Sequence, residues 1–131
     1  MAFDRAQFDA LAQAIGQRLF ASHLASFAAS TPASLEKMSA SLDRRDLESV
    51  AREAHRLRGF TSNFGAVGLG RVLLELESAC EARDLGLADR LLAQVQSAAA
   101  EAQSAITRRM AELDAAGGWP FEDAPGLIRL G

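Results

Sequence analysis

Leu47, Val50, Ala54, Leu57, Thr61 and Phe64 recur at alternating spacings of three and four residues. Only an α-helix brings such positions into line, so this segment reads as a helix whose apolar stripe must be buried against neighbours. The same spacing returns on both sides. Phe8, Leu11 and Ile15 carry it first, then Leu19, Phe20, Leu24, Phe27 and Ala28, continued by Leu35, Met38 and Leu42. Downstream it is carried by Leu69, Val72, Leu73, Leu76 and Cys80, and then by Leu91, Val95, Ala98, Ala102, Ile106 and Leu113. The chain is rich in alanine and leucine and has no tyrosine, which also favours helix over sheet.

The polar residues between the stripes mark helix ends. Asp4 reads as the N-cap of a short first helix ending near Gly16. Thr31-Pro32 interrupts the second pattern. Either Thr31 caps a new helix with Pro32 in its first position, or one long helix runs through with a kink. Asp43-Arg44-Arg45-Asp46 is a short link, with Asp46 capping the next helix and Glu48 in its first turn. That helix is expected to end near Phe64, with Gly65 available for a left-handed position. Ala66 begins a further helix to about Arg83, Asp84-Leu85-Gly86 makes a turn, and a last helix runs from about Leu87 to Leu113. Short links between long helices imply antiparallel neighbours, hence an all-α, antiparallel up-down four-helix bundle with a short N-terminal helix.

At 131 residues the chain reads as one domain, large enough to bury roughly two thirds of the surface its unfolded chain exposes. The division expected is a bundle over 1–114 and a flexible tail over 115–131, where periodicity stops and glycine and proline accumulate. The alternative is that Trp119, Phe121, Leu127, Ile128 and Leu130 clip onto the bundle. The net charge of −3 gives no reason to expect a nucleic-acid partner. Cys80 is the one cysteine and lies on an apolar helix face, so it reads as a buried structural thiol in a reducing compartment. No apolar run approaches the ~20 residues of a membrane span and no signal-peptide pattern is present, so a cytoplasmic location is expected. Two histidines and one cysteine without ligand spacing argue against a metal site, and there is no Walker loop or dinucleotide fingerprint.

His55 lies on the third helix but off its stripe, about 130° from the stripe's centre, and is therefore expected to be exposed. Its own face carries Arg52, Gly59 and Ser62, with Ala51 and Arg58 beside them. A glycine inside a helix costs about 1 kcal/mol relative to alanine. Gly59, one turn after His55, therefore suggests clearance for something large that must reach the imidazole. Arg58 offers a cation to an anion held on that ring. At histidine's ordinary pKa of about 6.5 an exposed imidazole is mostly neutral at pH 7 and hence nucleophilic. No local base is visible in the sequence. Arg44, Arg45, Arg52 and Arg56 add a basic stretch, of which Arg56 points away from His55.

The run His55-Arg56-Leu57-Arg58-Gly59-Phe60-Thr61-Ser62-Asn63-Phe64-Gly65-Ala66 resembles the motif of the histidine-containing phosphotransfer (HPt) domain of two-component phosphorelays. That motif is histidine, any residue, leucine, lysine and glycine, then two small residues, two of any kind, an aliphatic residue and Gly-Ala. Arg58, Phe60 and Phe64 replace its lysine, first small residue and aliphatic residue. Leu69, Val72, Leu76 and Glu77 downstream, and Phe27, Leu35, Leu42 and Asp46 upstream, also fall at familiar places, so the resemblance covers roughly residues 5 to 110.

The resemblance implies one continuous, bent helix from about 17 to 43, and a structural role for Glu77, whose neighbours Glu75 and Glu81 read as solvent-facing. It implies a phosphoryl carrier rather than an enzyme with its own substrate. His55 would accept the group from a phospho-aspartyl receiver domain and pass it to another response regulator. Arg58 would contact phosphate or partner, Gly59 would give access, and Ala51, Arg52 and Ser62 would meet the partner. The partners implied are response-regulator receiver domains and a hybrid histidine kinase, with magnesium on the receiver, no cofactor in this chain, and the chain itself a monomer. Two alternatives remain: an HPt-like bundle that binds a receiver domain or histidine kinase without transfer, and a purely structural bundle.

Overall fold

A computed structural model describes residues 3–116. Its order is α1 (Arg5–Ile15), α2 (Gln17–Asp43), α3 (Leu47–Thr61), a 3-10 turn (Ser62–Phe64), α4 (Val67–Glu81) and α5 (Leu85–Ala115). No strand occurs among the described residues. Helices α2 to α5 form the bundle. Cross-helix contacts fix the antiparallel sense: Phe27 lies on Phe60 while Ser34 meets Glu53, and a Cβ on Gly70 would face Thr61 while Glu77 meets His55.

The α3 stripe is buried as its spacing requires: Leu47, Val50, Ala54, Leu57, Thr61 and Phe64 are each less than a tenth exposed. Phenylalanines tie α1 and α2 to the end of α3. Phe8 meets Phe20 edge-on at 4.7 Å, Phe20 reaches Phe64 at 5.6 Å, and Phe64 stacks on Phe27 at 5.1 Å. Phe60 joins this ladder from the flank, 6.3 Å from Phe27, which accounts for an aromatic where the motif has a small residue. Leu19, counted on the apolar pattern of α2, is 39% exposed instead.

Helix α2 runs unbroken through Pro32. Proline has no N–H to give the Ala28 carbonyl one turn back, and beside it the Thr31 hydroxyl donates to the Phe27 carbonyl at 2.8 Å. Asp4, Asp46 and Asp84 cap α1, α3 and α5, each accepting from the backbone N–H three residues on. The Asp84 cap corrects the expected turn at 84–86. The chain reverses over Ala82 and Arg83, and Leu85 and Gly86 already belong to α5, since a glycine is tolerated in a capped first turn. Arg45 and Arg83, each just before a capping aspartate, take left-handed φ of 60° and 56°. Helix α5 runs on through Ala115, past the expected end at Leu113, so the proposed boundary at 114/115 falls inside a helix. The rest of the expected tail lies outside the described residues.

Helix α1 packs against α2 and the 3-10 turn and is pinned from two sides. The Asp4 amide donates to the Gly65 carbonyl at 2.7 Å. Arg109 on α5 grips Asp9 with Nε and Nη2 at 3.1 and 2.7 Å. Cys80 is buried as a free thiol, its pKa pushed up by burial and by Glu77 and Glu81. No helix is long and apolar enough to cross a membrane among the described residues.

Candidate functional site

His55 stands on the outer side of α3 with its side chain 70% exposed. The helix sets this: Ala54 and Leu57 turn inward to the core, and the residue between them that misses the stripe turns out. Arg52 and Gly59 on the same face are exposed, and Ser62 is exposed on the 3-10 turn. Ala51 is half-buried against the core. A Cβ built on Gly59 would meet nothing within 4 Å, so the glycine leaves open space rather than making room for a neighbour inside the fold.

The ring is not alone. Glu77, reaching across from α4, places Oε1 3.0 Å from Nδ1 of His55. Its other oxygen, Oε2, accepts from Nε of Arg58 at 2.5 Å. The Arg58 Nη2 lies 3.2 Å from the same Nδ1. One nitrogen cannot both donate to Glu77 and accept from Arg58. A carboxylate paired with a guanidinium offers only acceptors, so the arrangement favours Nδ1–H donating to Glu77. That tautomer leaves the lone pair on Nε2.

Two residues have partners that the sequence did not show. Glu77, read as a structural charge with neighbours facing solvent, touches the candidate nucleophile, and its side chain is only 13% exposed. Arg58, read as a cation for an anion on the ring, also pairs with Glu77, whose hydrogen bond and charge push its already high pKa further up.

Arg56 does point away, and the structure shows to what. Its Nη2 donates to Ser34 at 2.8 Å and its Nε to Glu53 at 3.2 Å, while Ser34 donates to Glu53 at 2.8 Å. Glu53 is 6% exposed and Ser34 1%. The Arg56 hydrogen bond, against the cost of burial, holds the Glu53 carboxyl below its ordinary range, with Ser34 adding to the effect. Glu53 follows Val50 by three and precedes Leu57 by four, so its place on the buried stripe was readable.

The site is thus an exposed imidazole on α3 held through one ring nitrogen by a carboxylate of α4. The Hpt domain family model matches residues 23–116, from within α2 to the C-cap of α5, and the chain belongs to that family. Hpt domains serve histidine phosphotransfer in phosphorelays and interact with response-regulator receiver domains and kinases. A comparison with curated protein sequences gives no match. Among the described residues no cluster of three or more histidine, cysteine or acidic side chains is placed to hold a metal ion.

Proposed function

We propose that this chain accepts a phosphoryl group on Nε2 of His55 from a phospho-aspartyl receiver domain and passes it to a second response regulator. The observation that supports it most is the exposed ring held through Nδ1 by Glu77 at 3.0 Å. The Nε2 lone pair forms an N–P bond as the acyl P–O bond breaks, and that electron pair returns to the aspartate carboxylate. The ring, still carrying Nδ1–H, becomes cationic. Glu77 accepts that N–H and sits beside the new charge, so the carboxylate stabilises what the transfer creates without removing a proton. The same steps in reverse discharge the group onto another aspartate.

The receiver would supply the acidic pocket and its magnesium; this chain supplies position and charge, which carry most of phosphoryl-transfer catalysis. Arg58, within hydrogen-bonding range of the ring, is a cation that can meet the bound phosphoryl group while Glu77 holds it in place. Gly59 leaves the partner a clear approach, and Ala51, Arg52 and Ser62 lie where the partner would cover them.

The experiment is phosphotransfer from purified phospho-receiver domains to wild type and to His55→Gln. The variant should take no acid-labile label while keeping its helicity and melting temperature, because an exposed side chain contributes little to stability. Labelling lost in His23→Gln and kept in His55→Gln would overturn the assignment. A wild-type chain that binds the receivers and takes no label would be a docking or inhibitory module instead.

A further inference from the structure

Helix α3 has two flanks, and they differ. On the α2 side Ser34, Glu53 and Arg56 are bonded to each other, with Lys37 3.8 Å from Glu53, and the groove of about 310 Å³ on this flank, beside Leu11, Ile15, His23, Ser26, Phe60 and Asn63, is lined by no arginine or lysine. On the α4 side an open groove of about 300 Å³ runs beside Arg58, Ser62, Val67, Gly70, Arg71 and Leu74. Two arginines and no carboxylate line it. Arg71 is exposed and pairs with no carboxylate among the described residues.

At the end of this groove Leu74 is 49% exposed, more than any other large apolar side chain among the described residues. It stands one helical turn before Glu77, the residue that ties His55 to α4. It also borders a second, mostly apolar groove of about 510 Å³ with Ser78, Ala82, Leu87 and Leu91 between α4 and α5. Leu74 is thus a ridge between two hollows, one of which reaches Arg58 beside the histidine. The fold gains little from leaving it in water, whereas a partner that covers it removes apolar surface at the centre of a contact, where binding energy concentrates.

We propose that the receiver domain docks across α3 and α4, with Leu74 as its apolar anchor and Arg71 as the charge that meets the acidic rim of its phospho-aspartate pocket. The inference rests on the phosphotransfer reading and adds to it the flank of approach. Glu77 ties the ring to α4, so a receiver placed over the α3–α4 boundary would meet both the histidine and Leu74, one helical turn before Glu77. Opposite charge across the contact raises the encounter rate, so the Arg71 contribution falls as salt rises.

The test uses the full chain and two phosphodonors. Phosphoramidate labels histidine without a docking surface; a receiver domain charged with acetyl phosphate, chosen from a panel for fastest transfer to wild type, needs one. The readout is the receiver rate divided by the phosphoramidate rate. Leu74→Glu and Arg71→Glu should each lower that ratio at least tenfold, and Leu74→Ala should lower it several-fold with helicity retained. Lys37→Glu, on the opposite flank, should leave it within twofold. Ratios unchanged in the α4 variants, or a loss confined to Lys37→Glu, would overturn the proposed flank. Labelling by phosphoramidate but by no receiver in the panel would overturn the partner as well. Labelling by neither donor would show that the phosphotransfer reading itself had failed.

Discussion

The Glu77 carboxylate bridges the His55 ring and the Arg58 guanidinium, with Oε1 3.0 Å from Nδ1 and Oε2 on the arginine Nε. Residues 22 apart in the chain thereby act as one unit across two helices. Removing the carboxylate should release both the ring and the arginine. Glu77→Ala is expected to slow transfer to His55 by roughly ten- to a hundred-fold, the loss of a charge-assisted hydrogen bond of about 1.5 to 3 kcal/mol. Glu77→Gln keeps an acceptor for Nδ1–H and loses the charge, so it should fall between the two. Quench-flow rates for the three proteins separate orientation from charge. Equal rates in all three would leave Glu77 a bystander.

Arg58→Lys should keep substantial transfer, since a lysine can still pair with Glu77, whereas Arg58→Ala should weaken it about tenfold. A direct contact predicts that the alanine deficit persists at high salt; long-range steering predicts that it shrinks. Stopped-flow transfer at two ionic strengths decides between them.

Gly59 has open space where its side chain would be. Gly59→Ala should therefore leave the fold intact and raise the melting temperature slightly, because alanine favours helix by about 1 kcal/mol. Gly59→Gln should fold as well and slow transfer from a receiver several-fold by standing beside the ring. Unchanged receiver transfer with glutamine there would remove access as the reason for the glycine.

Gly65 is a different case. It has φ of +71°, and a Cβ there would collide with the Asp4 carbonyl oxygen. Gly65→Ala should destabilise the protein by about 1 to 3 kcal/mol from left-handed strain plus displacement of α1. Urea unfolding measures the loss, and hydrogen exchange should show it first in residues of α1.

Glu53 makes stability depend on acid. Its carboxyl titrates below its ordinary value of 4.5 in the fold, through Arg56 and then Ser34. The unfolded chain therefore takes up the proton first as pH falls, and the stabilisation, whole above about pH 4.5, is lost as pH drops through the folded value. Asp46, held down mainly by Ser49, and Glu112, held down mainly by Arg5, share the direction, so wild type alone does not isolate Glu53. The difference in unfolding free energy between wild type and Glu53→Gln should shrink between pH 6 and pH 3. A constant difference would mean that the Glu53 carboxyl does not carry this pH dependence.

Sequence alone determined most of the helices, the caps at Asp4 and Asp46, and the exposure of His55. Each follows from spacing along one segment: a stripe at threes and fours turns Leu57 inward and His55 outward, and an aspartate three residues before a backbone N–H caps whatever helix begins there. The miss at 84–86 was also local, a glycine read as a breaker where the Asp84 cap had already started the helix. Sequence could name Glu77 but not place it at the ring, and it left Arg58 free, because both depend on the register of α3 against α4. That register is set by Gly70, where a Cβ would stand 2.6 Å from the Thr61 hydroxyl oxygen, and by the left-handed turn at Gly65. The difference between the two flanks of α3 was likewise decided by packing. Side chains far apart in sequence, Ser34 with Arg56 and Leu74 with the histidine's surroundings, become neighbours only when the bundle closes, and no periodicity within one helix records which helix lies beside it.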